Sequence, residues 1–192
     1  MRRSKQPRTN ERTHILFAPG TIHFGRGGVA VHPAATVVVI PTDLVLSAYR
    51  QAFPEERMLI LGGRRTKHRV RVTSASDVTG PHASRAHVWA DPKKLATALI
   101  DIQRTGAHFA AWLHSHPGTG PSATHPSQTD LTQEEELLRH YTDNLVCIIV
   151  TSDGCLRVWG AAINDGRANV RWQGQGITPY PGESNAYQLQ LQ

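Results

Sequence analysis

The chain has 192 residues, with 21 Lys and Arg against 15 Asp and Glu, a net charge of +6 and 2 cysteines. That length suits one domain with its own core, two cysteines exclude a disulfide-built scaffold, and no apolar run approaches the ~20 residues of a membrane-spanning helix. A soluble, cytoplasmic protein with reduced thiols and no membrane partner is expected. At the start, residues 1–12 hold Arg2, Arg3, Lys5, Arg8 and Arg12 without apolar periodicity, which predicts a disordered basic arm. Residues 13–35 contain short extended runs, His14 to Phe17 and Gly28 to Val31, around a Gly-rich turn at Gly25 to Gly28. They read as a β extension, and the turn lacks the Lys-Ser/Thr pair of a phosphate loop.

Thr36 to Ile40 is a β-branched run, and Pro41-Thr42-Asp43 opens a predicted helix from Leu44 to Phe53 that Pro54 closes. After the acidic pair Glu55-Glu56 comes a buried-looking strand, Arg57 to Leu61, then a second, His68 to Thr73, with Val70 and Val72 facing inward. Arg64, Arg65, Lys67, Arg69 and Arg71 form a second concentration of positive charge. Such a run can face an acidic protein, nucleic acid or only solvent; aromatic residues do not interleave with it as a stacking platform needs, which argues against nucleic acid. Ser74 to Ala86 reads as a loop. Asp91-Pro92 starts a helix with Leu95, Ala98, Leu99 and Ile102 on one stripe, and Gly106 ends it. His108 to Leu113 is an apolar strand, and Thr132 to His140 an acidic helix whose Glu134, Glu135 and Glu136 are expected in solvent. Leu145 to Thr151 and Leu156 to Gly160 flank a turn at Ser152-Asp153-Gly154-Cys155, Asn169 to Trp172 adds a strand, and residues 178–192 read as a loose polar tail. The order of elements predicts an α/β domain over residues 36–177, a mixed sheet flanked by helices.

The strongest constellation follows the His108 to Leu113 strand. His114 and His116 stand two apart, so on an extended chain they point to one face and can reach one metal ion. Asp130 adds a hard oxygen ligand from beyond a Gly- and Pro-rich loop. Two His and one carboxylate leave a fourth tetrahedral position free, as catalytic zinc requires. Taken alone, an H-x-H pair is more often ordinary surface or core histidine, and 11 His are scattered through this chain. His125, inside the loop, could also bind metal.

The full string runs His114-Ser115-His116-Pro117, a loop of ten residues from Pro117 to Pro126, then Ser127-Gln128-Thr129-Asp130. It resembles the H-x-H-P, loop, S-x-x-D signature of the JAMM (MPN+) zinc metalloproteases, or JAB domains. The loop is somewhat longer than usual and is similar to that of bacterial members; the order of elements over Thr36 to Trp172 also matches. The resemblance implies zinc held by His114, His116 and Asp130, with the Ser127 hydroxyl donating to the developing oxyanion. It also implies an upstream Glu as general base, in a pattern E-x-x-G-hydrophobic-x-x-G. Glu56 lies seven residues before Gly63 and Glu55 seven before Gly62, with the inner Gly replaced by Leu59 or Met58 respectively. Glu56 is preferred because it directly precedes the Arg57 to Leu61 strand, and Glu55 stays as the alternative. Ser127 could instead only cap the turn after Pro126, and Ser115 is expected on the opposite face of its strand in a structural role.

What the resemblance implies in function is a zinc-dependent isopeptidase or peptidase that cuts after the C-terminus of a ubiquitin-like modifier, in deconjugation or precursor processing. The expected partners are that modifier or its conjugate, together with activating-enzyme-like and conjugating-enzyme-like proteins. A hydrolase of a small-molecule or sulfur-carrier amide is the rival within enzymes, and a non-catalytic scaffold the rival outside them. Intact His114, His116, Ser127 and Asp130 argue against the scaffold.

Overall fold

The computed structural model describes residues 35–142 and 145–191. The expected basic arm (1–12) and the β extension (13–35), apart from Ala35, lie outside them. The β-branched run forms strand β1 (Thr36–Pro41), and helix α1 (Thr42–Gln51) follows without a side-chain cap and stops ahead of Pro54. Strands β2 (Met58–Thr66) and β3 (Arg69–Asp77) come next. Helix α2 (Pro92–Arg104) starts as its sequence dictates: the Asp91 carboxylate accepts from the Lys93 and Lys94 amides and Pro92 occupies the first turn. Strand β4 (His108–His116) leads through a short 3-10 turn (Pro121–Thr124) to helix α3 (Gln128–His140). The chain closes with β5 (Val146–Thr151), β6 (Cys155–Trp159), the single-turn α4 (Ala161–Asn164), β7 (Ala168–Gln173), β8 (Ile177–Pro179) and β9 (Ala186–Leu189).

Among the described residues these strands make one mixed sheet of nine, in the order β7-β1-β3-β2-β4-β5-β6-β9-β8. β1 runs parallel to β3 and β7, and β4 parallel to β5; the other pairs are antiparallel. Alternation sorts β2 between two cores. Leu59 and Leu61 join Val45 and Ala48 of α1 and Ala162 of α4, whereas Met58 and Ile60 join Ala98 and Ile102 of α2 and Leu137 of α3. Helices therefore cover both faces. At Gly62 the register of β2 shifts against both neighbours, and a Cβ there would stand 2.8 Å from the Ile102 side chain. Only glycine lets α2 lie this close to the sheet. No helix among the described residues is long and apolar enough to cross a membrane.

Three expectations need correction. The polar tail is not loose: β9 pairs with β6, opposing Tyr187 to Leu156, and buries Ala186 and Leu189. Two apolar anchors in a polar segment were too few to read as a strand, yet the open edge of β6 supplies the rest of the hydrogen bonds. Trp172 of β7, at one end of the strand order, and Tyr187 of β9, next to the other end, meet edge to face at 5.2 Å, so the sheet curves back on itself. The expected loop at Ser74 is still strand, because β3 continues to Asp77 against β2. Glu134 is not in solvent: it is 8% exposed, and its carboxylate accepts from the Ala161 amide at 2.6 Å.

Candidate metal centre

The end of β4 places the His pair. Met58 of β2 and Ile149 of β5 flank His114 in the sheet, and its ring stacks on Trp112, two residues earlier on the same face, at 4.8 Å. His114 is 0% exposed. Its Nε2 lies 3.0 Å from His116 Nε2 and 3.0 Å from Asp130 Oδ1, and His116 Nε2 lies 3.5 Å from Asp130 Oδ2. A tetrahedral ion with bonds of about 2.0–2.1 Å holds its ligands about 3.3 Å apart, close to the spacing between the two imidazole nitrogens and from each of them to one carboxylate oxygen, and one donor atom from each residue lies within 4.8 Å of the other two. Asp130 is held there by helix geometry. Ser127 caps α3, its hydroxyl oxygen accepting from the Asp130 amide at 3.3 Å, while Asp130 Oδ2 accepts from the Ser127 amide at 2.6 Å.

The protonation of the cluster also fits a cation. His116 Nδ1 donates to the Ala123 carbonyl at 2.7 Å, because a carbonyl can only accept; the neutral ring then turns the lone pair of Nε2 to the cluster, and the charged ring donates from Nε2 to Asp130. Burial pushes the His114 imidazole below its ordinary pKa, against the pull of Asp130. Burial alone would also lower His116, but its hydrogen bonds to Asp130 and Ala123 and the charges of Asp130 and Glu56 outweigh that and raise it. Burial works against the Asp130 carboxylate, yet the hydrogen bonds from His114, His116 and the Ser127 amide hold it well below the usual carboxylate range. Among the described residues His114 Nδ1 has no hydrogen-bond partner. An anionic carboxylate and two imidazole nitrogens converging at these distances form a donor set of the kind that holds a divalent metal ion.

The two glutamates separate clearly. Glu55 is exposed, whereas Glu56 is 7% exposed. Met58 pairs with His114, and the Ser115 amide donates to the Arg57 carbonyl at 3.0 Å. The same antiparallel register carried two residues further sets Glu56 opposite His116, on the face of the cluster. Burial lifts its carboxyl to about 7, with the His116 charge opposing and the Asp130 charge assisting. Its amide donates to the Ser84 carbonyl at 2.9 Å.

Other expected residues fall into place around this. Ser127 does cap α3, and its hydroxyl proton is not used in that bond. Ser115 points to the opposite face, fully buried, where it joins β4 to the segment before β2. His125 is exposed and lies outside the cluster, with its Nε2 3.5 Å from Arg157 instead. Cys147 and Cys155 are both free. Sequence reading passed over Arg157, which the structure buries beside the loop of the centre. The signal was available: a single cation in the otherwise apolar run Cys155-Leu156-Arg157-Val158-Trp159.

A family model described as prokaryotic homologs of the JAB domain matches residues 42–161. The solution structure of a protein from Desulfitobacterium hafniense is similar in fold at 21% identity, with a TM-score of 0.50, covering 71% of this chain and 94% of that one. No curated protein matches the chain.

Proposed function

This chain belongs to the family of prokaryotic homologs of the JAB domain, and from that premise we propose that it is a zinc-dependent peptidase or isopeptidase cutting after the C-terminus of a ubiquitin-like modifier. The observation that supports this most is the convergence of His114, His116 and Asp130, with the buried Glu56 opposite His116. When bound, zinc would lower the pKa of water to about 7 and polarise a carbonyl. Glu56, with a carboxyl poised near neutrality, takes the proton from the attacking water and hands it to the departing amine as the C–N bond breaks. The Ser127 hydroxyl donates to the carbonyl oxygen as it gains charge. The products are a free amine and a modifier ending in a carboxylate.

The same reading includes a docking surface for the body of the modifier. Arg64 opposes Arg71 across β2 and β3, and Val39 opposes both Arg71 and Arg171, so one row on the sheet reads Arg64, Arg71, Val39, Arg171. Like charges directly opposed destabilise a sheet, and no carboxylate pairs with Arg64, Arg69, Arg71 or Arg171 among the described residues. From Met58 to Arg64 the strand runs about 20 Å, a span that a folded modifier covers and a small amide does not. Activating-enzyme-like and conjugating-enzyme-like proteins would build the conjugate that this site takes apart. Unpaired Cys147 and Cys155 agree with a reducing, cytoplasmic setting.

The test is cleavage of a ubiquitin-like protein fused through its C-terminal carboxyl to an amine, by chain loaded with one zinc. Glu56→Gln is expected to keep zinc and lose cleavage. Charge reversal at Arg71 and Arg171 is expected to weaken conjugate binding, most strongly at low salt, and to leave short peptides cleaved at the parental rate. Zinc-loaded protein that cuts small amides but no ubiquitin-like fusion would move the assignment to the small-molecule class.

A further inference from the structure

His114, Ile149 and Arg157 stand opposite one another on β4, β5 and β6, so their side chains leave the same face of the sheet. Two strand spacings, about 10 Å, separate Arg157 from His114. Arg157 is 9% exposed, in a strand whose other four residues are all buried and uncharged. A guanidinium in such a place is costly unless its donors are met. Here they are met by two loops. Nε donates to Thr124 Oγ1 at 2.9 Å and Nη2 to the Pro121 carbonyl at 3.4 Å, on the loop after β4; Nη2 also donates to Glu183 Oε2 at 3.0 Å and Nη1 to the Ser184 carbonyl at 3.3 Å, between β8 and β9.

Ala123 lies between the two loop residues that Arg157 grips, and its carbonyl is the acceptor for His116 Nδ1 at 2.7 Å. The front half of the same loop has separate anchors. Asp153 accepts from the Gly120 amide at 2.8 Å, and the Ser152 hydroxyl donates to the Gly118 carbonyl at 2.9 Å. Removing Arg157 therefore loosens the half that carries Ala123 and leaves the other half fastened. The bond to Ala123 sets which nitrogen of His116 faces the cluster.

We propose that Arg157 is a positioning residue for His116, acting through the Pro121 to Thr124 turn, and that Glu183 of the C-terminal hairpin supports the metal centre by holding Arg157. The proposal rests on the reading of His116 as a metal ligand, but its first test needs no metal. Long-range imidazole ¹⁵N NMR of the metal-free protein, at a pH alkaline enough to leave His116 neutral, reads its tautomer directly. The parental chain is expected to show the Nδ1–H form, and Arg157→Gln a mixture. With Zn²⁺ alone, chelator competition is expected to show an affinity about tenfold weaker in Arg157→Gln at the same stoichiometry. Thr124→Val, which removes one acceptor and leaves Arg157 in place, should follow in the same direction. So should Glu183→Gln, to a smaller degree; these two carry the test if Arg157→Gln does not fold. Arg157→Lys keeps the charge but not the fork of donors, and should rescue less than half of the loss. Val72→Ala, in the core on the α1 side, controls for lost stability and should keep both the tautomer and the affinity. The proposal is overturned if the folded Arg157 and Thr124 variants keep the parental tautomer and bind Zn²⁺ within twofold, or if Val72→Ala loses as much. A parental chain that binds no Zn²⁺ would instead end the metal reading, with the tautomer still deciding the role of Arg157.

Discussion

The Ser115 hydroxyl accepts from the Arg57 amide at 2.9 Å and donates to the Ala52 carbonyl at 3.2 Å. One side chain thus fastens the segment carrying Glu56 to the strand carrying His114 and His116, from the face opposite the cluster. Ser115→Ala leaves a part-buried amide and a buried carbonyl short of partners, at a cost of about 1–3 kcal/mol. The expected result is a lower Tm and slower hydrolysis with zinc content unchanged. Parental hydrolysis in a destabilised Ser115→Ala protein would show that the register of Glu56 does not depend on this bond.

Glu56→Gln keeps shape and burial but cannot accept a proton, so zinc content should hold while cleavage falls by a factor of at least ~10². Glu55 is exposed, and Glu55→Gln should cleave at the parental rate. Paired cleavage assays decide this, and the opposite pattern would assign the base to Glu55.

Stability of the metal-free protein carries a pH signature of the same residue. Folding raises the Glu56 carboxyl from its ordinary 4.5 to about 7, chiefly by burial. In that window the folded chain holds a proton that the unfolded chain has lost, so stability falls as pH rises from 4.5 to 7. His116, raised, adds to this fall and His114, lowered, opposes it; both are present in Glu56→Gln, where His116 loses only the part of its rise that the Glu56 charge supplies, so the difference between the two proteins reports Glu56 and its pull on His116. Thermal melts should show the parental Tm dropping more steeply with pH than that of Glu56→Gln. Parallel curves would refute the raised carboxyl.

Asp130→Ala should release the metal and shorten the start of α3, since the Ser127 amide loses its acceptor. His125→Ala should keep zinc, because its ring faces Arg157 and not the cluster. Metal analysis after dialysis checks both, and zinc lost from His125→Ala but kept by Asp130→Ala would mean a different ligand set.

Ser127→Ala separates cap from chemistry. The lost cap costs about 1 kcal/mol, readable in Tm, whereas a lost oxyanion donor slows turnover by roughly 10²–10³. A drop in Tm with unaltered turnover would leave Ser127 as a cap alone.

The sequence by itself determined the elements whose reasons are local. β-branched runs, the Asp91-Pro92 start and the apolar stripe of α2 depend on neighbours within a turn or two, and they stand where the pattern put them. That His114, His116 and Asp130 come together was legible for the same reason: two residues on one strand share a face, and Asp130 lies three residues into a capped helix. What required the tertiary structure depends on residues far apart in the chain. Glu56 and Glu55 are alike in sequence, and only the antiparallel pairing of β2 with β4 buries one of them opposite His116. The tail became β8 and β9 only because β6 offered an open edge. Arg157 is 34 residues beyond Ala123 and 26 before Glu183 in the numbering, and a strand pattern carries no information about which loops fold over its charge. Hydrogen bonds formed across such separations are set by packing, since the partner of a buried donor is whichever acceptor the fold brings within 3 Å or so.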